Sequence, residues 1–149
     1  MLGSIHMLTG AAIGKVSGDF ALVIPVAFLS HFVLDLIPHM DPETPKDFWK
    51  LGISKKNAWE ILFKSLEPLV GIAIILSFSF TASSELGSVI FWGAFFAAIP
   101  DVVEFLGRLL KSRLVISFFE YAHSSLEGPR WWYTQWVIGG VALVVLLTC

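Results

Sequence analysis

The chain has 149 residues, a length typical of one domain, and 56% of them are hydrophobic, with a mean hydropathy of +0.77. Its formal net charge is −2, and it has no run of Lys and Arg dense enough to follow a phosphate backbone, which argues against nucleic-acid binding. Cys149 is the single cysteine, so a disulfide within the chain and a Cys-x-x-Cys zinc site are both excluded.

Four long apolar segments lie at about 20–38, 58–80, 86–107 and 131–148, and each approaches the roughly 20 residues that a helix needs to cross a bilayer. A shorter helical segment, 4–16, precedes them and is separated from the first by Ser17-Gly18-Asp19. Its small residues permit close helix packing: Gly10, Ala11, Ala12 and Gly14. We predict an all-α polytopic membrane bundle of four transmembrane helices plus a short N-terminal helix, forming a single domain over residues 1–149. That short helix is expected to pack on the bundle.

The basic residues of the loops predict the orientation of the bundle. They occur in the 39–57 and 108–130 segments, whereas the 81–85 turn has none: Lys46, Lys50, Lys55, Lys56, Arg108, Lys111, Arg113 and Arg130. The positive-inside rule therefore places both basic loops in the cytoplasm. The aromatic residues at the start of the last segment are typical of an interfacial anchor: Trp131, Trp132, Tyr133 and Trp136.

The most informative run is 30–41, which reads Ser-His-Phe-Val-Leu-Asp-Leu-Ile-Pro-His-Met-Asp and ends the first long apolar segment. It contains His31, Asp35, His39 and Asp41. His31 and Asp35 are four residues apart and therefore share one face of a helix. An Asp inside a membrane helix costs roughly 2.5–3.5 kcal/mol. A compensating interaction is needed, and metal coordination or a buried polar network would provide it.

Other polar residues are predicted at the same cytoplasmic level. Asp101 and Glu104 share a face at the end of the third long segment, His123 lies in the segment that follows, and His6 begins the short helix. We interpret these residues as one site. Glu67 lies deep in the second long segment, where both a bond to a neighbouring helix and metal ligation remain open.

Imidazole and carboxylate without thiolate suit zinc, manganese or iron. We predict a divalent metal, with zinc as the first choice, and the ligands are His6, His31, Asp35, His39, Asp101 and His123. Asp41 or Glu104 would act as general base or orient a ligand. Such a metal lowers the pKa of bound water toward about 7, which permits hydrolysis at neutral pH.

The order of these motifs resembles a family of bacterial inner-membrane proteins called metal-dependent hydrolases. The resemblance rests on His6 with the following Met-Leu-Thr-Gly, on residues 31–41, on Ile-Pro-Asp101 and on His123. The chain departs from that family in having Pro100-Asp101-Val-Val-Glu104 and a single late histidine. A weaker similarity, carried by His-Phe-x-x-Asp with a following Pro and His, is to the zinc-dependent phospholipase C and single-strand nuclease superfamily.

These resemblances imply a bacterial inner-membrane enzyme in which metal-activated water attacks a phosphoester, with membrane lipids as partners and a phospholipid headgroup among the substrates to consider. Two alternatives stay open. The polar residues could form a structural network in a non-enzymatic membrane protein, or they could belong to a small transporter or ion-binding protein. The strongly apolar outer halves of the segments weigh against transport, with Glu67 and Gln135 as the exceptions.

Overall fold

The computed structural model describes residues 1–39, 54–55, 57–122 and 131–148, without the side chain of Phe63. These residues form six helices and no strand, so the prediction of an all-α fold is confirmed for them. The helices are α1 (Gly3–Ser17), α2 (Phe20–Asp35), α3 (Ala58–Thr81), α4 (Ser84–Leu109), α5 (Arg113–Ala122) and α6 (Trp132–Thr148).

Two helices of the described chain are long and apolar enough to cross a membrane, α3 with 24 residues and α4 with 26. Helices α2 and α6 have 16 and 17 residues, which at about 1.5 Å per residue span about 24 and 26 Å. A bilayer core is about 30 Å thick. The prediction of four full-length transmembrane helices is therefore wrong, and the described residues contain two helices of that length.

The short length of α2 has a local cause. The apolar run continues to Pro38, but the helix ends at Asp35 and is followed by a turn at Leu36 and Ile37. Proline disfavours helical backbone in the residue before it and has no N–H to donate, so the run cannot continue as one helix. The hydrophobicity of the sequence did not indicate that α2 ends at Asp35.

The segment predicted as a cytoplasmic loop at 108–130 also contains structure. Helix α4 continues to Leu109, and α5 follows after a turn in which Lys111 has a φ of 54°. Phe119 of α5 is buried and stacks on Phe32 of α2, with ring centroids 6.3 Å apart. Helix α5 therefore contacts α2 at Phe32, the residue after His31.

Helix α1 lies inside the bundle and not on its surface, because it packs against α2, α3, α4 and α6. Eight of its 15 residues are buried. The backbones of α1 and α4 approach closely where Gly10 faces Gly93 and where Gly14 faces Val89, so a Cβ at either α1 glycine would meet a carbonyl group of α4. The close packing predicted from the small residues is thus confirmed.

The direction of the helices brings several of their ends together. Gly18, with a φ of 63°, reverses the chain between α1 and α2, and Asp19 caps α2 by accepting from the N–H of Ala21. Helix α4 is antiparallel to α1, since Gly14 faces Val89 whereas Gly10 faces Gly93 and Ala97. The start of α1, the end of α2 and the C-terminal half of α4 therefore share one end of the bundle, called here the polar end.

The outward faces of the long and the short apolar helices carry large apolar side chains. Among the exposed ones are Leu29, Val33, Leu69, Val70, Phe80, Phe95, Val137, Val141 and Leu147. Monomeric soluble proteins rarely expose such continuous apolar surface. The exterior is therefore suited to contact with lipid.

Candidate metal centre

His31 and Asp35 lie one turn apart on the buried face of α2. Nε2 of His31 is 3.2 Å from Oδ2 of Asp35 and 3.8 Å from Oδ1 of Asp101 in α4. Nδ1 of His31 donates to the carbonyl oxygen of Ala97 at 2.9 Å. A carbonyl only accepts hydrogen bonds, so Nδ1 carries a proton and Nε2 is the nitrogen that faces the two carboxylates. This is how metal-binding histidines are usually oriented.

His6 brings a second imidazole to the same place from α1. Its ring stacks on that of His31, with centroids 4.0 Å apart and planes at 24°, and its Nε2 is 3.1 Å from Oδ1 of Asp35. Burial lowers the pKa of His6 to about 4, so the ring is neutral at pH 7. A neutral imidazole is the form that binds a metal ion.

Three nitrogen atoms at this point lack a well-directed hydrogen bond within the described residues: both ring nitrogens of His6 and Nε2 of His31. The two Nε2 atoms nevertheless lie within ion-pair distance of Asp35, at 3.1 Å for His6 and 3.2 Å for His31, whereas Nδ1 of His6 has no partner of either kind within the described residues. Buried polar groups in native proteins are nearly always paired. Unpaired nitrogens that converge on carboxylates are therefore the strongest sign that this cluster receives another group.

His39 is linked to Asp35 of the cluster through the amino group of Met1. The carboxylate of Asp35, 2% exposed, accepts from the amino group of Met1 at 3.0 Å, and that nitrogen is 2.8 Å from Nε2 of His39. Nδ1 of His39 donates to the carbonyl oxygen of Ile37 at 2.7 Å. His39 is fully buried, and, like His31, it has its Nδ1 held by the backbone and directs Nε2 inward.

His6, His31 and Asp101 form a group whose ligand atoms lie within 4.8 Å of one another. Two ligands of a tetrahedral zinc ion, each at about 2.1 Å from it, lie about 3.4 Å apart, so the widest pair of the group must close by up to about 1.4 Å to bind one ion. Side-chain rotation covers such a distance. The side chain of Asp101 is 38% exposed, which leaves one side of the cluster accessible.

Two further polar residues at the polar end accept hydrogen bonds from backbone N–H groups at the start of α1. Ser4 donates its N–H to Oε1 of Glu67 in α3 at 2.8 Å, and Leu2 donates its N–H to Oε1 of Gln135 in α6 at 3.0 Å. The first N–H groups of a helix have no partner within the helix and carry its positive dipole end, which explains these acceptors. Of the two alternatives for Glu67, the structure shows the bond to a neighbouring helix.

Gln135 was missed as a site residue, because its position in an apolar segment suggested the outer half of the bundle. It is 1% exposed and lies at the polar end, near the start of α6. The hydroxyl of Thr134 beside it donates to the carbonyl oxygen of Pro38, so α6 begins where α2 has ended. The sequence signal that could have indicated its depth is the position of Gln135, one turn after the aromatic residues of the predicted interfacial anchor.

The remaining predicted residues have different positions. Glu104 lies one turn beyond Asp101, and its Oε1 accepts from Nε of Arg108 at 2.8 Å. Its role as general base stays a prediction. Asp41 and His123 lie outside the described residues. The structure thus brings together His6, His31, Asp35, His39 and Asp101, and ligation by them is likewise still a prediction.

Comparison of the chain with protein-family models, with curated proteins and with solved structures gives no match. The resemblance to membrane metal-dependent hydrolases therefore rests on the motifs in this sequence. A fold does not by itself indicate a function, whereas the residues of a site do.

Proposed function

We propose that the protein is a metal-dependent hydrolase of the bacterial inner membrane that cleaves a phosphoester at the cytoplasmic interface. The observation that carries the proposal is the convergence of the Nε2 atoms of His6 and His31, which are buried and lack a well-directed hydrogen bond, on the carboxylates of Asp35 and Asp101. A buried unpaired polar group costs about 1–3 kcal/mol, and a bound cation removes that cost while balancing the carboxylates.

The donor set suits zinc, with manganese and iron as the other candidates. When bound, such an ion lowers the pKa of a water molecule and polarises a phosphoryl oxygen. His31 would bind through the Nε2 that the Ala97 carbonyl leaves free, and His6 through the ring stacked on it. Asp101 would bind from the accessible side.

Proton transfer needs a base near the exposed side of the cluster. Glu104 is placed one turn beyond Asp101, and Arg108 holds its carboxylate in position. Asp41 is the second candidate for this role. The buried residues, His6, His31 and Asp35, would orient the ion and exclude water from its inner side.

One observation favours the non-enzymatic alternative. Asp35, Glu67 and Gln135 each accept a hydrogen bond from a backbone nitrogen of residues 1–4, at or just before the start of α1. These contacts alone would hold α1 inside the bundle and need no ion. The polar end would then be a structural network that closes the fold.

Elemental mass spectrometry of the detergent-purified protein distinguishes the two. We expect about one or two equivalents of zinc, manganese or iron in the wild type, and loss of the metal in His31→Ala and Asp101→Asn. Glu85→Gln is the control, because Glu85 lies in the first turn of α4, far from the polar end. Metal-loaded protein should hydrolyse bis(p-nitrophenyl) phosphate. A metal-free wild type that gains no thermal stability from any of these ions would overturn the proposal.

A further inference from the structure

An apolar groove of about 700 Å³ lies on one side of the bundle, between α2 and α6, with α1 as its floor. Leu22 and Val26 of α2 form one wall, and Val137 and Val141 of α6 form the other. These four wall residues are 46–62% exposed, so the groove is open along the side of the molecule. The groove therefore opens sideways, toward the medium that surrounds the helices.

The groove is aligned with the candidate metal centre. Its floor begins at Thr9, three residues after His6 in α1, and extends to Ser17. At about 1.5 Å per residue this floor is about 12 Å long, and its near end is about one turn from His6. A ligand in the groove would therefore have one end at the polar end of the bundle and the other toward the opposite end.

The hydroxyl of Thr9 provides a second, independent observation. Oγ1 of Thr9 is buried and has no hydrogen-bond partner within the described residues, although Thr9 lines the groove at the end near His6. Oγ of Ser17, at the opposite end of the groove, is likewise buried without a partner within the described residues. A helical Thr usually donates to a carbonyl of the preceding turn. An unpaired donor at this position is suited to an acceptor oxygen of a ligand.

We propose that the groove binds one acyl chain of a phospholipid from the surrounding bilayer, with the ester oxygen near Thr9 and the headgroup phosphate toward the metal centre. The walls are apolar and open sideways, where hydrocarbon is the medium around a membrane helix, and a polar chain would leave its groups unpaired there. The imidazole and carboxylate groups of the candidate centre lie beyond the Thr9 end of the groove, so the headgroup of a lipid is expected at that end. The assignment of the phosphate to the metal centre rests on the proposed function, whereas the binding of the chain does not.

Native mass spectrometry of the full chain, incubated in detergent with palmitoyl-oleoyl phosphatidylglycerol, tests the inference. Val141→Trp places an indole in the mouth of the groove, and Val144→Trp is its control on the same helix. The two valines are 61% and 57% exposed, but Val144 does not line the groove. We expect one retained lipid in the wild type and in Val144→Trp, and about tenfold less in Val141→Trp because the indole fills the space of the chain.

A second pair on the opposite wall guards against misfolding of one variant: Val26→Trp, which lines the groove, and Val33→Trp, which does not. Asp101→Asn should retain the lipid while losing metal. Lipid retention and metal content therefore test the groove and the hydrolase proposal independently. Equal retention in the groove variants and the wild type would refute lipid binding. Equal loss in the control variants, or a dimer that Val141→Trp dissociates without changing lipid retention, would refute it as well.

Discussion

Replacement of Asp35 by Asn separates the metal centre from the structural network most sharply. The substitution keeps the size of the side chain but removes the negative charge and one acceptor oxygen. Asp35 is 2% exposed and lies 3.0 Å from the amino nitrogen of Met1, 3.1 Å from Nε2 of His6 and 3.2 Å from Nε2 of His31. Every one of these contacts depends on its carboxylate.

The expected loss of stability follows from this burial. Removing one partner of a buried ion pair costs about 3–5 kcal/mol. For a chain of about 150 residues, 1 kcal/mol changes Tm by about 2–4 °C, so Asp35→Asn should lower Tm by about 6–20 °C. A metal ion present at 100 times its Kd adds about 2.7 kcal/mol to the wild type, equivalent to about 5–11 °C, and a chelator removes that part.

The assay is thermal unfolding of four samples, wild type and Asp35→Asn, each with and without a chelator. With a metal centre, the chelator lowers the Tm of the wild type and leaves Asp35→Asn unchanged. Glu85→Gln should behave as the wild type in both conditions. If the chelator has no effect on the wild type while Asp35→Asn still loses 6–20 °C, as estimated above for a buried ion pair, the metal centre is refuted. If Asp35→Asn has the Tm of the wild type, the cluster has neither role.

Two further predictions concern the position of α1. Gly10→Val should destabilise the protein by about 1–3 kcal/mol or more, because its Cβ would meet the carbonyl of Gly93. Gly140→Val, in open space, should change Tm little, and equal effects in thermal unfolding would contradict the packing described. Glu67→Ala should cost about 1–3 kcal/mol, because it leaves the N–H of Ser4 without its acceptor. Glu67→Gln keeps an acceptor oxygen and should cost clearly less, and the opposite order would contradict this role.

Several features were predictable because they depend on neighbours in sequence. The break between two helices at Gly18, the close packing permitted by Gly10 and Gly14, and the shared face of His31 and Asp35 follow from backbone preference and helical spacing. The lengths of the spans were not predictable from hydropathy. Because of Pro38, α2 ends before the apolar run ends, and the mean hydropathy of the segment does not indicate this end.

The candidate site was predictable in part. Loop charges and the positions of polar residues along the apolar segments indicated that His6, His31, Asp35 and Asp101 share one level. The position of Gln135 was not predictable, because one polar residue in an apolar segment can lie at either depth and on any face. Only the packing of α6 beside α1 shows that it receives the N–H of Leu2.

The sequence by itself determined the helical class, the His, Asp and Glu side chains that could bind a metal, and the shared depth of these side chains in the bundle. These features depend on composition and on helical spacing, which can be read from neighbouring residues of the chain. Tertiary structure decided that α1 is the central helix, that the His6 and His31 rings stack, and that α2 and α6 leave an apolar groove between them. These features depend on which helix faces meet, and helix faces are selected by close packing between distant segments of the chain.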